Sequence, residues 1–267
     1  MFRTNLCARS LAAGAVMAVG VLLAGCATSG PPTASSNSPA SPVRAAADIT
    51  GACSALIRVD AVPLPGGGEG EPVPPEVMKQ FGQAVLAPLK QALARGDAEL
   101  AANLKALEPI VVAAAEKGTP IPDDDSVMTA VAGFHGWAHK NCGYQKVDLM
   151  AVDYAFENIP ATLKAGSVSL SMMNHSDKGE FHVALILKPK DAKISTVEQL
   201  LAIPLPELES SVDFLGSAAA PPGMTGGLLI DLGPGRYFVV CPVPVAGDEG
   251  GIDIHMMHGM ASVIEVA

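Results

Sequence analysis

Near the C-terminal end of the chain a cysteine, Cys241, is followed by His255 and then, beyond four further residues, by Met260. Thiolate, imidazole and thioether in that order are donors of a trigonal copper site with a weak axial sulfur. Such a site needs a second imidazole from elsewhere in the fold. His182, in Phe181-His182-Val183-Ala184-Leu185-Ile186-Leu187, is the candidate. Two rivals stand beside these residues: His258, two before Met260, and His175, in the polar Asn174 to Gly179 turn. Met172, Met173, Met224, Met256 and Met257 add soft donors, although methionine serves equally as core filler and a buried cysteine as a small hydrophobe.

The elements that must position these donors read as strands. Gly233-Pro234-Gly235 makes a turn, and the aromatic and β-branched run Tyr237 to Val240 leads into Cys241-Pro242. From Lys146 onward Val147, Leu149 and Ala151, then Val168, Leu170 and Met172, alternate as half-buried strands do. Ala184 to Leu187 is continuously apolar, as a strand covered on both faces would be. Ile194 to Ile203 predicts a short helix capped by Ser195 with Glu198 completing a capping box. Pro204 to Pro222 reads as irregular, and Leu228 to Leu232 and Ser262 to Val266 supply further strands. Short strands between Gly/Pro turns imply a Greek-key β-sandwich. His182 begins its strand and Cys241 ends another, so both can reach one rim. Thirteen residues separate Cys241 from His255 and include Gly247, Gly250 and Gly251. As a hairpin they project about 20 Å and return, at about 3.3 Å per residue.

The first half of the chain is different. Arg3 and Arg9, the apolar run Leu11 to Leu23 and then small residues have the layout of a bacterial export signal over residues 1–25. Leu23-Ala24-Gly25-Cys26 resembles a lipobox, which makes Cys26 the expected lipidation site and places the protein in the cell envelope, lipid-anchored to the outer face of the cell membrane. Residues 26–47, rich in Ser, Pro, Ala and Thr, bury too little apolar surface to fold and read as a disordered tether. Residues 48–143 read as a helical domain: Asp48 to about Val62, Pro75 to Arg95, a third helix capped by Asp97 and ending at Gly118, and Ser126 to Asn141. Residues 144–267 form the sandwich.

Of the cysteines left after export and acylation, Cys53 and Cys142 bracket the helical segment, and Cys241 sits among the metal-type donors. A Cys53–Cys142 disulfide with Cys241 free is the simplest pairing for an oxidising compartment; the other two pairings stay open. His135 and His139 share one helix face beside Trp137, with no carboxylate or cysteine at ligand spacing, and read as interface residues. The formal charge of −10 and the absence of basic clusters argue against a nucleic-acid partner. No Ser–His–Asp set, phosphate loop or paired-carboxylate signature stands out, so the chain does not read as an enzyme.

The β-rich half resembles the cupredoxin-like domains carried by actinobacterial envelope lipoproteins. The matching residues are Asp153-Tyr154-Ala155-Phe156-Glu157, Pro160 to Ser171 with Gly166, and Asn174 followed by Asp177-Lys178-Gly179-Glu180-Phe181-His182. Gly233 to Tyr237, Cys241-Pro242 and His255 to Met260 with Gly259 match as well. The resemblance implies an α+β chain whose sandwich binds copper through His182, Cys241, His255 and Met260, for electron transfer or copper handling. The gap from His255 to Met260 favours His255 over His258. The longer Cys241 to His255 loop departs from the pattern. A redox or copper-transfer protein would be the partner, and the membrane is reached through the lipid. The alternative is a metal-free cupredoxin-like module serving interaction or structure in the envelope.

Overall fold

The structure, a computed structural model, describes residues 47–65, 72–248 and 251–267. The export-signal layout, Cys26 and the Ser/Pro-rich stretch lie outside the described residues, apart from Ala47 at the end of that stretch.

Four helices come first: α1 (Ile49–Asp60), α2 (Pro75–Arg95), α3 (Ala98–Lys117) and α4 (Asp125–Asn141). Their ends follow from local chemistry. Asp48, Asp97 and Asp124 each accept a backbone N–H of the first turn, which satisfies donors that have no partner inside the helix. Asp97 also accepts the Trp137 indole N–H at 3.0 Å, so one carboxylate caps α3 and anchors α4. A disulfide joins Cys53 in α1 to Cys142 after α4, across 89 positions. Closing a loop of this length restricts the unfolded chain by about 4–5 kcal/mol.

Nine strands follow among the described residues. β2 (Ala155–Glu157), β1 (Gln145–Val152), β4 (Gly166–Asn174) and β7 (Thr225–Leu232) form one sheet in that order. β3 (Thr162–Leu163), β9 (Ala261–Val266), β8 (Gly235–Val240), β5 (His182–Pro189) and β6 (Val212–Ala220) form the other. β1 and β4 run parallel, as do β3 and β9; the remaining pairs are antiparallel. The fold is thus α+β, helices followed by a sandwich of two mixed sheets.

Alternation along the strands builds three apolar layers. Val147, Leu149, Val168, Leu170, Ile186, Val239 and Cys241 point into the space between the sheets. Residues of opposite parity reach the outer faces. Leu229 of β7 packs with the helical cluster of Leu56, Phe134 and Trp137. Leu187, Phe238 and Val240 pack beneath Leu200, Leu208, Ile254 and Met256. The continuous apolar run in β5 therefore has both of its faces covered.

Polar contacts fix the helices to the sheet. Asp60 Oδ2 lies 2.7 Å from His135 Nε2 and accepts the Leu229 N–H at 2.7 Å. His139 meets Ser169 Oγ at 3.0 Å and Asp148 at 3.1 Å. The two histidines hold an interface, each through different partners. Gly227 must be glycine here, because a Cβ would stand 2.5 Å from the His135 Cβ. The helices and the sandwich belong to one compact unit, Ala46–Ala267. None of the described helices is long and apolar enough to cross a membrane.

Two local expectations are corrected. The short helix α5 is Val197–Leu201, capped by Thr196 with Gln199 completing the box, rather than by Ser195 with Glu198. The cap lies one residue on because the Gln199 side chain reaches back to the Ser195 and Thr196 N–H groups. The stretch Pro204 to Pro222 is ordered: helix α6 (Leu205–Ser211) leads into β6. Its alanines are poor strand formers. They serve here because Ala218 and Ala220 are wholly buried and β7 approaches closely, with Gly226 so near that a Cβ would meet the Ala219 carbonyl at 2.1 Å.

Candidate metal centre

One end of the sandwich gathers the donors. His182 is the first residue of β5, and Cys241 follows the last residue of β8. Beyond Cys241 the chain leaves the sheet and returns as a narrow hairpin. Val245 N–H donates to Asp253 at 2.8 Å and His255 N–H to Val243 at 2.9 Å, with Pro244 and Ile254 bridged between them. His255 then opens a single turn of 3₁₀ helix, His255–His258, which ends at Gly259 in the left-handed region (φ 108°). Met260 follows at the mouth of β9.

This return puts His255 against the thiol. Its Nδ1 lies 3.4 Å from Cys241 Sγ, and His182 Nδ1 lies 3.9 Å from the same sulfur. A ring nitrogen of each histidine and the sulfur lie within 4.8 Å of one another, and all three residues are buried. Donors about 2.0–2.3 Å from a shared first-row metal, at trigonal angles, stand roughly 3.5–4 Å apart. The set therefore fits one ion. Met260 is fully buried in the same cluster as Cys241. Its carbonyl accepts the Cys241 N–H at 3.0 Å, and its N–H donates to His255 at 3.2 Å.

The rivals are placed elsewhere. His258 is partly exposed and its Nε2 meets Asp253 Oδ1 at 2.5 Å. His175 lies exposed in the turn after β4.

The support of the site is dense. Asn174, fully buried at the end of β4, donates to the Glu180 and Ala220 carbonyls at 2.9 and 2.8 Å and accepts the Ser176 N–H at 2.9 Å. It thereby fixes the loop that delivers His182. Val183 N–H points at the Cys241 sulfur at 3.4 Å. Tyr154 packs its ring edge-on to His255 at 5.1 Å and donates its hydroxyl to Glu180 at 3.2 Å. Glu180 Oε2 is 2.7 Å from His255 Nε2. The sequence brought Tyr154 and Glu180 forward only inside matching stretches and gave them no role. The one available signal was a carboxylate two positions before a candidate ligand.

Burial sets the charge states of the metal-free site. Desolvation, helped by the neighbouring His255, pushes His182 down to about 4. Desolvation also pushes His255 down, against the pull of Glu180. The Cys241 thiol is pushed up by burial, eased by the Val183 and Val243 N–H groups. Both imidazoles are therefore neutral near pH 7, as metal ligands must be, and the thiol carries the proton that a metal displaces.

The two-sheet sandwich thus carries a buried thiol, two imidazoles and a methionine at one rim. Among solved structures, the chain is similar to auracyanin B (19% identity, 46% of this chain and 88% of that one, TM-score 0.31). It is also similar to dithionite-reduced auracyanin from Roseiflexus castenholzii (20% identity, 46% and 97%, TM-score 0.33). A third is auracyanin A, a blue copper protein from Chloroflexus aurantiacus (17% identity, 47% and 100%, TM-score 0.30). No family model and no curated protein matches the chain.

Proposed function

We propose that this protein binds one copper ion through His182, Cys241 and His255, with the Met260 thioether as a weak axial donor, and carries single electrons. The observation behind this reading is the convergence of a buried thiol and two buried imidazoles at distances that suit a trigonal ion. Soft sulfur with imidazole favours copper over harder ions, and copper supplies a one-electron Cu(II)/Cu(I) couple. The residues contribute a cage that the two sheets hold in place and that excludes water.

The wider setting is part of the proposal. Export and acylation at Cys26 would tether the domain to the outer face of the cell membrane, where a redox or copper-transfer protein would meet it. The export-signal layout of residues 1–25 supports this, and so does the disulfide, since such bonds persist in oxidising compartments.

Loading the purified protein with Cu(II) tests the reading. One copper per chain and an intense visible thiolate-to-copper band are expected, and Cys241→Ser should abolish the band. Tight Cu(I) binding with no coloured Cu(II) state would favour copper carriage over electron transfer. No stoichiometric copper in either state would leave the metal-free module.

A further inference from the structure

Glu180 is a buried acid whose carboxylate the fold has gone to some length to place. Its backbone is pinned at both ends: the N–H donates to Ser176 Oγ at 3.0 Å, and the carbonyl accepts from Asn174 at 2.9 Å. Ser176 is itself tied to Asp153 at 2.8 Å. The side chain, only 7% exposed, then turns inward. Oε1 receives the Tyr154 hydroxyl, and the Tyr154 ring is covered on its face by Lys178 Nζ at 4.0 Å from the centroid.

The other oxygen, Oε2, has no aligned hydrogen-bond donor, and His255 Nε2 has no aligned acceptor. These two unsatisfied buried atoms lie 2.7 Å apart. A buried carboxylate oxygen left without a donor is strongly unfavourable. Each is thus placed to satisfy the other, the imidazole N–H donating and the carboxylate oxygen accepting. The opposite nitrogen of that ring, Nδ1, faces Cys241 Sγ.

We infer that Glu180 is the positioning residue of the site, holding His255 with its proton on Nε2 so that the Nδ1 lone pair faces the metal position. Carboxylates placed behind metal-bound imidazoles orient the ring and raise its basicity. Here the carboxylate also adds a second buried negative group, beyond the Cys241 thiolate, beside two neutral imidazoles. That arrangement balances a divalent ion better than a monovalent one and lowers the reduction potential. Glu180 touches the ligand, not the ion, so it acts through His255.

The inference rests on His255 being a copper ligand, but its first readout needs no copper. Nitrogen-15 imidazole spectra of the metal-free protein should show His255 as the Nε2–H tautomer in the wild type and a mixture of tautomers in Glu180→Leu. The second readout uses the loaded protein. Glu180→Gln, which keeps size and hydrogen bonding, should still take up one copper, with its potential shifted upward and its Cu(II) affinity reduced more than its Cu(I) affinity. Glu180→Asp should recover part of that shift. If Glu180→Leu does not fold, the Gln and Asp variants carry the test. An unchanged tautomer, or a potential in Glu180→Gln equal to that of the wild type, would overturn the role of Glu180. A wild type that shows the Nε2–H tautomer but binds no copper would instead overturn the copper reading and leave the pairing intact.

Discussion

The Cys241 N–H donates to the Met260 carbonyl at 3.0 Å, so the end of one strand and the start of another meet directly across a long excursion of the chain. The Met256 N–H closes the same neck by donating to the Cys241 carbonyl at 2.9 Å. Backbone bonds at this neck, from Val243 to His255 and from Val245 to Asp253, therefore join the two arms of the loop close to the ligands. Replacing residues 246–252 by Asn-Gly should keep the copper band at full intensity, because the neck bonds of Val243, Pro244, Ile254 and His255 remain. Absorption of the loaded variant checks this, and a bleached site would mean that the tip holds the ligands.

Met260→Leu removes the axial sulfur and keeps the volume. The variant should still load copper and keep its colour. Its potential should rise, since a lost donor weakens the oxidised ion more than the reduced one. Voltammetry of both proteins decides it.

Acid should destabilise the metal-free protein. His182 has a folded pKa near 4 against an ordinary value of 6.5, so the unfolded chain takes up a proton first as pH falls. The contribution of neutral His182 is fully present above about 6.5 and is lost progressively as pH falls towards about 4. Urea titrations of the metal-free protein at pH 7 and pH 5 should give a lower midpoint at pH 5. His182→Gln should flatten that difference.

Asp60 is one of the polar links between the helices and the sheet. Asp60→Ala leaves the Leu229 N–H and His135 Nε2 without their acceptor in a site where both side chains are about nine-tenths buried. A loss of about 2–4 kcal/mol is expected. Denaturant unfolding measures it, and the copper band of the folded fraction should not move.

Legibility in the sequence tracked how local the physics was. The cap at Asp97 was readable because a carboxylate before a helix satisfies donors within its own turn. The alternation of Val147, Leu149 and Ala151 was readable because a half-buried strand repeats every two residues. Cys241 and His255 could be nominated from donor type and spacing, and the structure brings them together. β6 was not readable: Ala218, Ala219 and Ala220 are poor strand formers, held as a strand by pairing with β5 while Gly226 lets β7 come close. Glu180 was not readable either, since its meaning depends on an imidazole that lies 75 positions away in the chain.

The Cys53–Cys142 bond also bears on load. Tension entering the chain ahead of Cys53 crosses the sulfur bridge to Cys142 and passes into β1 only three residues later. The chain between them, a sequence separation of 89 and worth about 300 Å when extended, is shielded from the pull and cannot pay out while the bond is oxidised. A tethered molecule dragged at its N-terminal end would thus feel force first in the sheet that β1 shares with β4. A reductant would move the weakest link to the helices and lengthen the molecule by that hidden slack before the rim that gathers Cys241 and His255 is disturbed.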